Sequence, residues 1–263
     1  MQNDTLKGHK PAGLTASVLK TIAIVAMAVD HIAFAFVPEY YGPLGAALHF
    51  IGRTTAPIMF YFLVEGYHHT RSKNKYTLRL FVFAVVSYLP FVYFHAGTGL
   101  GQWPPAASFA SLNVGYTLLL AFLALRARHQ LTNPIAKALV IALLFLLSPL
   151  GDWGYLALIF VLVFDVFRGN FKHQAWAYSA VVLTQLMPNV SAAVRLFASG
   201  AGSATMYGPY FSAAFVQLGM FVPLLLLGLY NGQKGGGGKA AKWGFYVFYP
   251  LHLLLIVVLK GTV

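Results

Sequence analysis

The sequence predicts an all-α fold, a polytopic transmembrane helix bundle of about nine spans. Three observations carry this expectation. Of its 263 residues, 59% are hydrophobic and 9% charged, with a mean hydropathy of +0.69, a composition far from that of soluble domains. The apolar residues fall into runs close to the roughly twenty needed to cross a bilayer as a helix. The cations then sort by side. Of the eighteen lysines and arginines, all but Arg195, Lys260 and Arg53 fall on one side of a nine-span arrangement. By the positive-inside rule this puts the N-terminus in the cytoplasm and the C-terminus outside.

In order along the chain, residues 1–17 (MQNDTLKGHKPAGLTAS) are polar and basic and read as a cytoplasmic segment. The apolar run 18–37 is too long for a usual signal-peptide core and reads as a retained first span. The further spans are expected at 44–66, 78–95, 113–127, 134–148, 153–167, 175–190, 208–230 and 243–260. The two at 134–167 are short and separated by PLGDW, so two full spans and one re-entrant hairpin are both open. Residues 189–208 are expected to carry an interfacial helix, with Val194, Leu196 and Phe197 against lipid. The glycine run 231–242 reads as a flexible linker. No segment outside the spans is long enough to fold alone, so 18–263 is expected to be one transmembrane domain.

The formal net charge is +12, but it lies in short loops, which argues against nucleic acid as a partner. The chain has no cysteine. That excludes disulfides, cysteine-bound metals and an acyl-cysteine intermediate.

Ionisable groups inside spans are expensive and mark function by default. Asp30 and His31 in VDHIAFAF lie roughly 18 Å into the first span, and Arg53 lies roughly 14 Å into the second from its other end. His252 in FYPLHLLL shares that depth, His49 is a turn further out, and Asp152 sits at the outer mouth. Convergence at one depth predicts a common cavity. At about 100° per residue, Lys20, Met27 and His31 share a face while Asp30 points away. His31 is therefore expected to face a channel rising from Lys20, and Asp30 to pair with Arg53. Pro57 is expected to kink the second span just inward of Arg53. Glu65, His68, His69, Arg71, Lys73, Lys75 and Arg79 follow at the cytoplasmic edge. Two adjacent histidines with cations and no nearby carboxylate spacing are poor metal ligands, so no metal is expected there. Cations among tyrosines suit phosphates better.

The segments LKTIAIVAMAVDHIAF, IGRTTAPIMFYFLVEGYHHTRSKNKYTLRL, NVGYTLLLAFLAL, GDWGYLALIFVLVF and FYPLHLLLI together resemble the TraX family of membrane acetyltransferases in order and spacing, from about residue 19 to 257. The chain is also distantly similar to heparan glucosaminide N-acetyltransferase-type transmembrane acyltransferases. The resemblance implies transfer of an acetyl group from cytoplasmic acetyl-CoA to an outer acceptor amine or hydroxyl, a pilin N-terminus in the family's named activity, at the bacterial inner membrane. An acceptor on a cell-envelope sugar or lipid-linked glycan is the alternative. On that reading His31 is the first choice of general base and His252 the second, with Arg53 and Asp30 beside them. Lys20, Glu65, His68, Arg71, Lys73 and Lys239 would surround the donor. Intramembrane Asp, His and Arg also suit a proton-coupled transporter, but the repeated halves and paired broken helices of such proteins are not visible in the sequence. An assembly factor, with polar groups serving only packing, is a third class.

Overall fold

The computed structural model describes residues 13–200, 204–236 and 238–261, the side chains of 204, 205 and 238–242 excepted. Among the described residues eleven α-helices follow one another: α1 (Ala16–Phe36), α2 (Pro43–Gly52), α3 (Thr55–His69), α4 (Lys73–Ala96), α5 (Val114–Gln130), α6 (Pro134–Leu147), α7 (Gly154–Val166), α8 (Phe171–Ala198), α9 (Ala204–Leu218), α10 (Val222–Gly228) and α11 (Gly238–Lys260). Their starts are written locally. Thr15, Ser72, Asn113, Asn133 and Asn170 each accept a hydrogen bond from a first-turn amide, satisfying donors that no helical carbonyl reaches.

All nine expected spans fall on helix. Among the described residues, six stretches are long and apolar enough to cross a membrane: Ala16–Phe36, Pro43–His69, Lys73–Ala96, Phe171–Ala198, Met206–Gly228 and Trp243–Lys260. The other three, α5, α6 and α7, have 17, 14 and 13 residues. α6 packs on α5, whereas α7 packs on α3, α5 and α8.

α3, α5 and α7 form the centre, where Phe60, Phe122, Phe160 and Phe164 are fully buried. α6 turns Ile135, Leu139, Leu143 and Leu146 outward, as α4 does Val82, Val85, Val86 and Leu89. Outward apolar ridges of this extent belong against lipid, where a helix satisfies its own backbone polar groups.

One local expectation holds and two are corrected. The second span is interrupted just inward of Arg53, at Arg53–Thr54, one turn before Pro57, because the proline ring clashes with the carbonyl four residues earlier, which is that of Arg53. Pro57 then sits in the first turn of α3, where an amide hydrogen is not needed. Residues 189–198 do not form a separate interfacial helix: α8 runs through Pro188 to Ala198. The loop after α10 is docked rather than free. Gln233 and Lys234 carbonyls accept from the Ala16 and Ser17 amides at 2.8 and 3.0 Å, and Gly235, at φ +75°, lies so close to Thr15 that a Cβ there would collide with its hydroxyl.

Candidate functional site

Where α1, α2, α3, α4, α5, α11 and the turn before α7 converge, they enclose a chamber of about 130 Å³. Asp30, His31, Arg53, His95, Asp152 and Trp153 supply its polar and aromatic lining. Two neighbouring turns hold this shape. The Asp152 amide donates to the Leu112 carbonyl at 2.8 Å, the Thr117 hydroxyl donates to the Asp152 carbonyl at 2.5 Å, and Trp153 adopts φ +65°. A left-handed tryptophan is strained backbone, of the kind that persists where surrounding contacts over-determine it.

The two histidines proposed separately from sequence form one unit. His31 Nδ1 and His252 Nε2 are 2.6 Å apart, and His252 Nδ1 is 2.8 Å from the Phe248 carbonyl. A carbonyl only accepts, so His252 Nδ1 carries the hydrogen and its Nε2, in the neutral ring, accepts from His31 Nδ1. That leaves the lone pair on His31 Nε2. His31 lines the chamber, while His252 is buried behind it, its ring stacked on Phe248. The arrangement can take a proton at His31 Nε2 and stabilise the resulting imidazolium through His252, as a carboxylate does in a hydrolase triad.

Asp30 does not pair with Arg53. Its Oδ1 accepts from His49 Nδ1 at 2.8 Å, and Gly52 permits this, since a Cβ there would run into the Asp30 carboxylate. Depth along each span matched Asp30 to Arg53, but His49, one turn earlier on the same face of α2, is the residue that reaches the carboxylate, while the Arg53 guanidinium extends to Tyr40 and Trp153. Asp30 still lines the chamber, because the cavity is wide enough to reach two adjacent residues of α1. Tyr40 stacks on His49 at 3.7 Å and accepts from Arg53 Nη2 at 3.3 Å; the guanidinium lies over the Trp153 ring at 5.6 Å. Arg53 Nε is buried without a hydrogen-bond partner among the described residues, a donor available to an oxyanion.

Toward the end of the bundle that carries most cations lies a second cavity, of about 630 Å³. Lys20, Glu65, His69, Arg71, Arg79 and Lys234 line it. Glu65 is held by Arg168 at 2.9 Å and His69 at 3.3 Å. The Arg79 Nε is buried and unpartnered among the described residues, an arrangement that suits an anionic ligand. Arg79 drew no particular attention in the sequence, where it was one cation among several.

Two expected neighbours are elsewhere. Lys73 donates to the Tyr67 and Thr70 carbonyls at the end of α3, which leave the helix unsatisfied otherwise. His68 turns one helical step away from the cavity, onto Asp165 at 2.7 Å. The Lys239 side chain lies outside the described residues. Asp165 also accepts from Arg128 at 2.7 Å and His129 at 2.8 Å, tying α3 and α5 to α7. His68, His129 and Asp165 converge as metal ligands can. Their contacts are nevertheless shorter than the roughly 3.3 Å that separates ligands on a tetrahedral ion bonded at about 2.0–2.1 Å. With a guanidinium on the same carboxylate, hydrogen bonds account for the cluster.

A polytopic helical membrane protein, with a histidine pair in an interior chamber and a cation-lined cavity beside it, is the class these observations define. The chain belongs to the TraX family, whose description, TraX protein, matches residues 15–260. It is 34% identical over 249 residues to a protein of Dichelobacter nodosus named probable fimbrial assembly protein FimC, serogroup H1, covering 94% of this chain and 96% of that relative. No solved structure matches.

Proposed function

We propose that the protein transfers an acetyl group from acetyl-CoA, held in the cation-lined cavity, to an acceptor amine or hydroxyl in the chamber, with His31 as general base. The observation that carries this reading is the His31–His252 pair, its free Nε2 at a chamber that adjoins a large, cation-lined cavity. The positive-inside rule assigns the cavity to the cytoplasm, where acetyl-CoA is made, and the chamber to the outer half of the membrane. The family and the name of the fimbrial relative support a pilin subunit as the acceptor, its terminal amine entering past Asp152.

Lys20, Arg71, Arg79 and Lys234 hold the donor's phosphates. The acceptor N–H or O–H gives its proton to His31 Nε2 as the nitrogen or oxygen attacks the thioester carbonyl. The oxyanion of the tetrahedral adduct lies against Arg53. Collapse breaks the carbon–sulfur bond, and the CoA thiolate takes the proton back from His31. Without cysteine in the chain, direct transfer needs no acyl-thiol intermediate.

Purified protein incubated in detergent with acetyl-labelled CoA and envelope extract tests the reading. Label entering an acceptor supports it; absence of both donor binding and transfer contradicts it.

A further inference from the structure

The two cavities share a wall. Met59 of α3, Leu118 of α5 and Phe245 of α11 line both the chamber and the cation-lined cavity. All three are apolar, and Leu118 and Phe245 are buried, Phe245 with Phe83 packed at its back at 5.6 Å. Polar groups resume on either side. Lys20 lies in the cavity, and Met27, seven residues or roughly 10 Å further along α1, already belongs to the chamber. Apolar side chains shared by two polar-lined cavities offer ions and water no polar partner. Methionine, unbranched with three rotatable bonds, is the member able to swing aside.

We propose that Met59, Leu118 and Phe245 form an apolar gate, with Met59 its moving part. The gate separates the chamber from the solvent of the cavity and opens only to pass the narrow, uncharged thioester end of the donor. This rests on the acetyl-transfer reading for its purpose. The gate's test does not depend on transfer.

Because the chain lacks cysteine, a single introduced one is a unique reporter. Ser17→Cys reports the cavity and Val114→Cys the chamber. A membrane-impermeant, sulfonated methanethiosulfonate reagent is applied to sealed membrane vesicles on the side from which Ser17→Cys is labelled. The gate predicts that Val114→Cys reacts at least about tenfold more slowly than Ser17→Cys, and that adding Met59→Ala accelerates it by about tenfold while the Ser17→Cys rate stays the same. Phe245→Leu serves in the same way should Met59→Ala not fold, with monodispersity on size exclusion as the folding check. Equal labelling of the two reporters in the chain with Met59 intact overturns the gate, as does no acceleration on shortening Met59 or Phe245. Failure of acetyl-CoA to protect Ser17→Cys, with the gate behaving as stated, counts against the donor reading alone.

Discussion

His252→Leu separates the role of His252 from that of His31. The substitution keeps an apolar side chain of similar size under Phe248 but removes the nitrogen that accepts from His31 Nδ1 at 2.6 Å. Two losses follow. The neutral His31 ring is no longer held in the tautomer whose Nε2 is free, and the imidazolium formed during transfer loses its partner. A hydrogen bond to a charged group is worth about 1.5–3 kcal/mol, which corresponds to a fall in kcat of about 10- to 150-fold. The donor binds in the other cavity, so KM for acetyl-CoA stays within about twofold. His252→Gln, whose carbonyl oxygen can still accept, recovers part of the loss. His31→Ala removes the base itself and lowers kcat by about 10²–10⁴-fold. The assay is steady-state transfer of labelled acetyl in detergent. Full activity in His31→Ala with loss in His252→Ala would reverse the roles; kcat unchanged in His252→Leu would refute the relay.

Other consequences are as specific. Arg79→Gln should raise the Kd for acetyl-CoA by about tenfold or more, the worth of one charge-assisted hydrogen bond, with Arg79→Lys intermediate, read by equilibrium binding. Lys73→Ala, by contrast, should leave that Kd unchanged, since its amine is spent on carbonyls of α3. Asp165→Ala leaves three partly exposed donors from α3 and α5 without their acceptor and should lower stability by about 1–3 kcal/mol, measured by thermal unfolding in detergent, with donor binding intact in the folded fraction. Transfer should fall as the medium is acidified, because a protonated His31–His252 pair has no lone pair to accept the acceptor's proton; a rate that rises on acidification would exclude the imidazole as base.

The helices were legible because hydrocarbon demands long apolar runs, and every expected span falls on helix. Depth was legible too: residue counts along 18–37, 44–66 and 243–260 placed His31, Arg53 and His252 at one level. Rotation between helices was not. Counting from Asp30 and Arg53 cannot show that His49, one turn before Arg53 on the same face of α2, takes the acid. The same gap hid the difference between His68 and His69, one residue and about 100° apart, of which one faces Asp165 and the other the cavity. Asp165 drew no attention inside FVLVFDVF, because its three partners lie on helices more than thirty residues away in sequence. The glycine loop, expected to be free, carried no sequence sign that its carbonyls would cap α1.

The most direct test of the central claim is a structure of the protein in a lipid nanodisc with a non-hydrolysable acetyl-CoA analogue. The account predicts the phosphates against Lys20, Arg71 and Arg79, the arm passing Met59, Leu118 and Phe245, and the carbonyl carbon in the chamber, roughly 3–3.5 Å from an acceptor atom that His31 Nε2 can reach. Phosphates bound elsewhere, or an acyl end that stops in the cation-lined cavity, would contradict it.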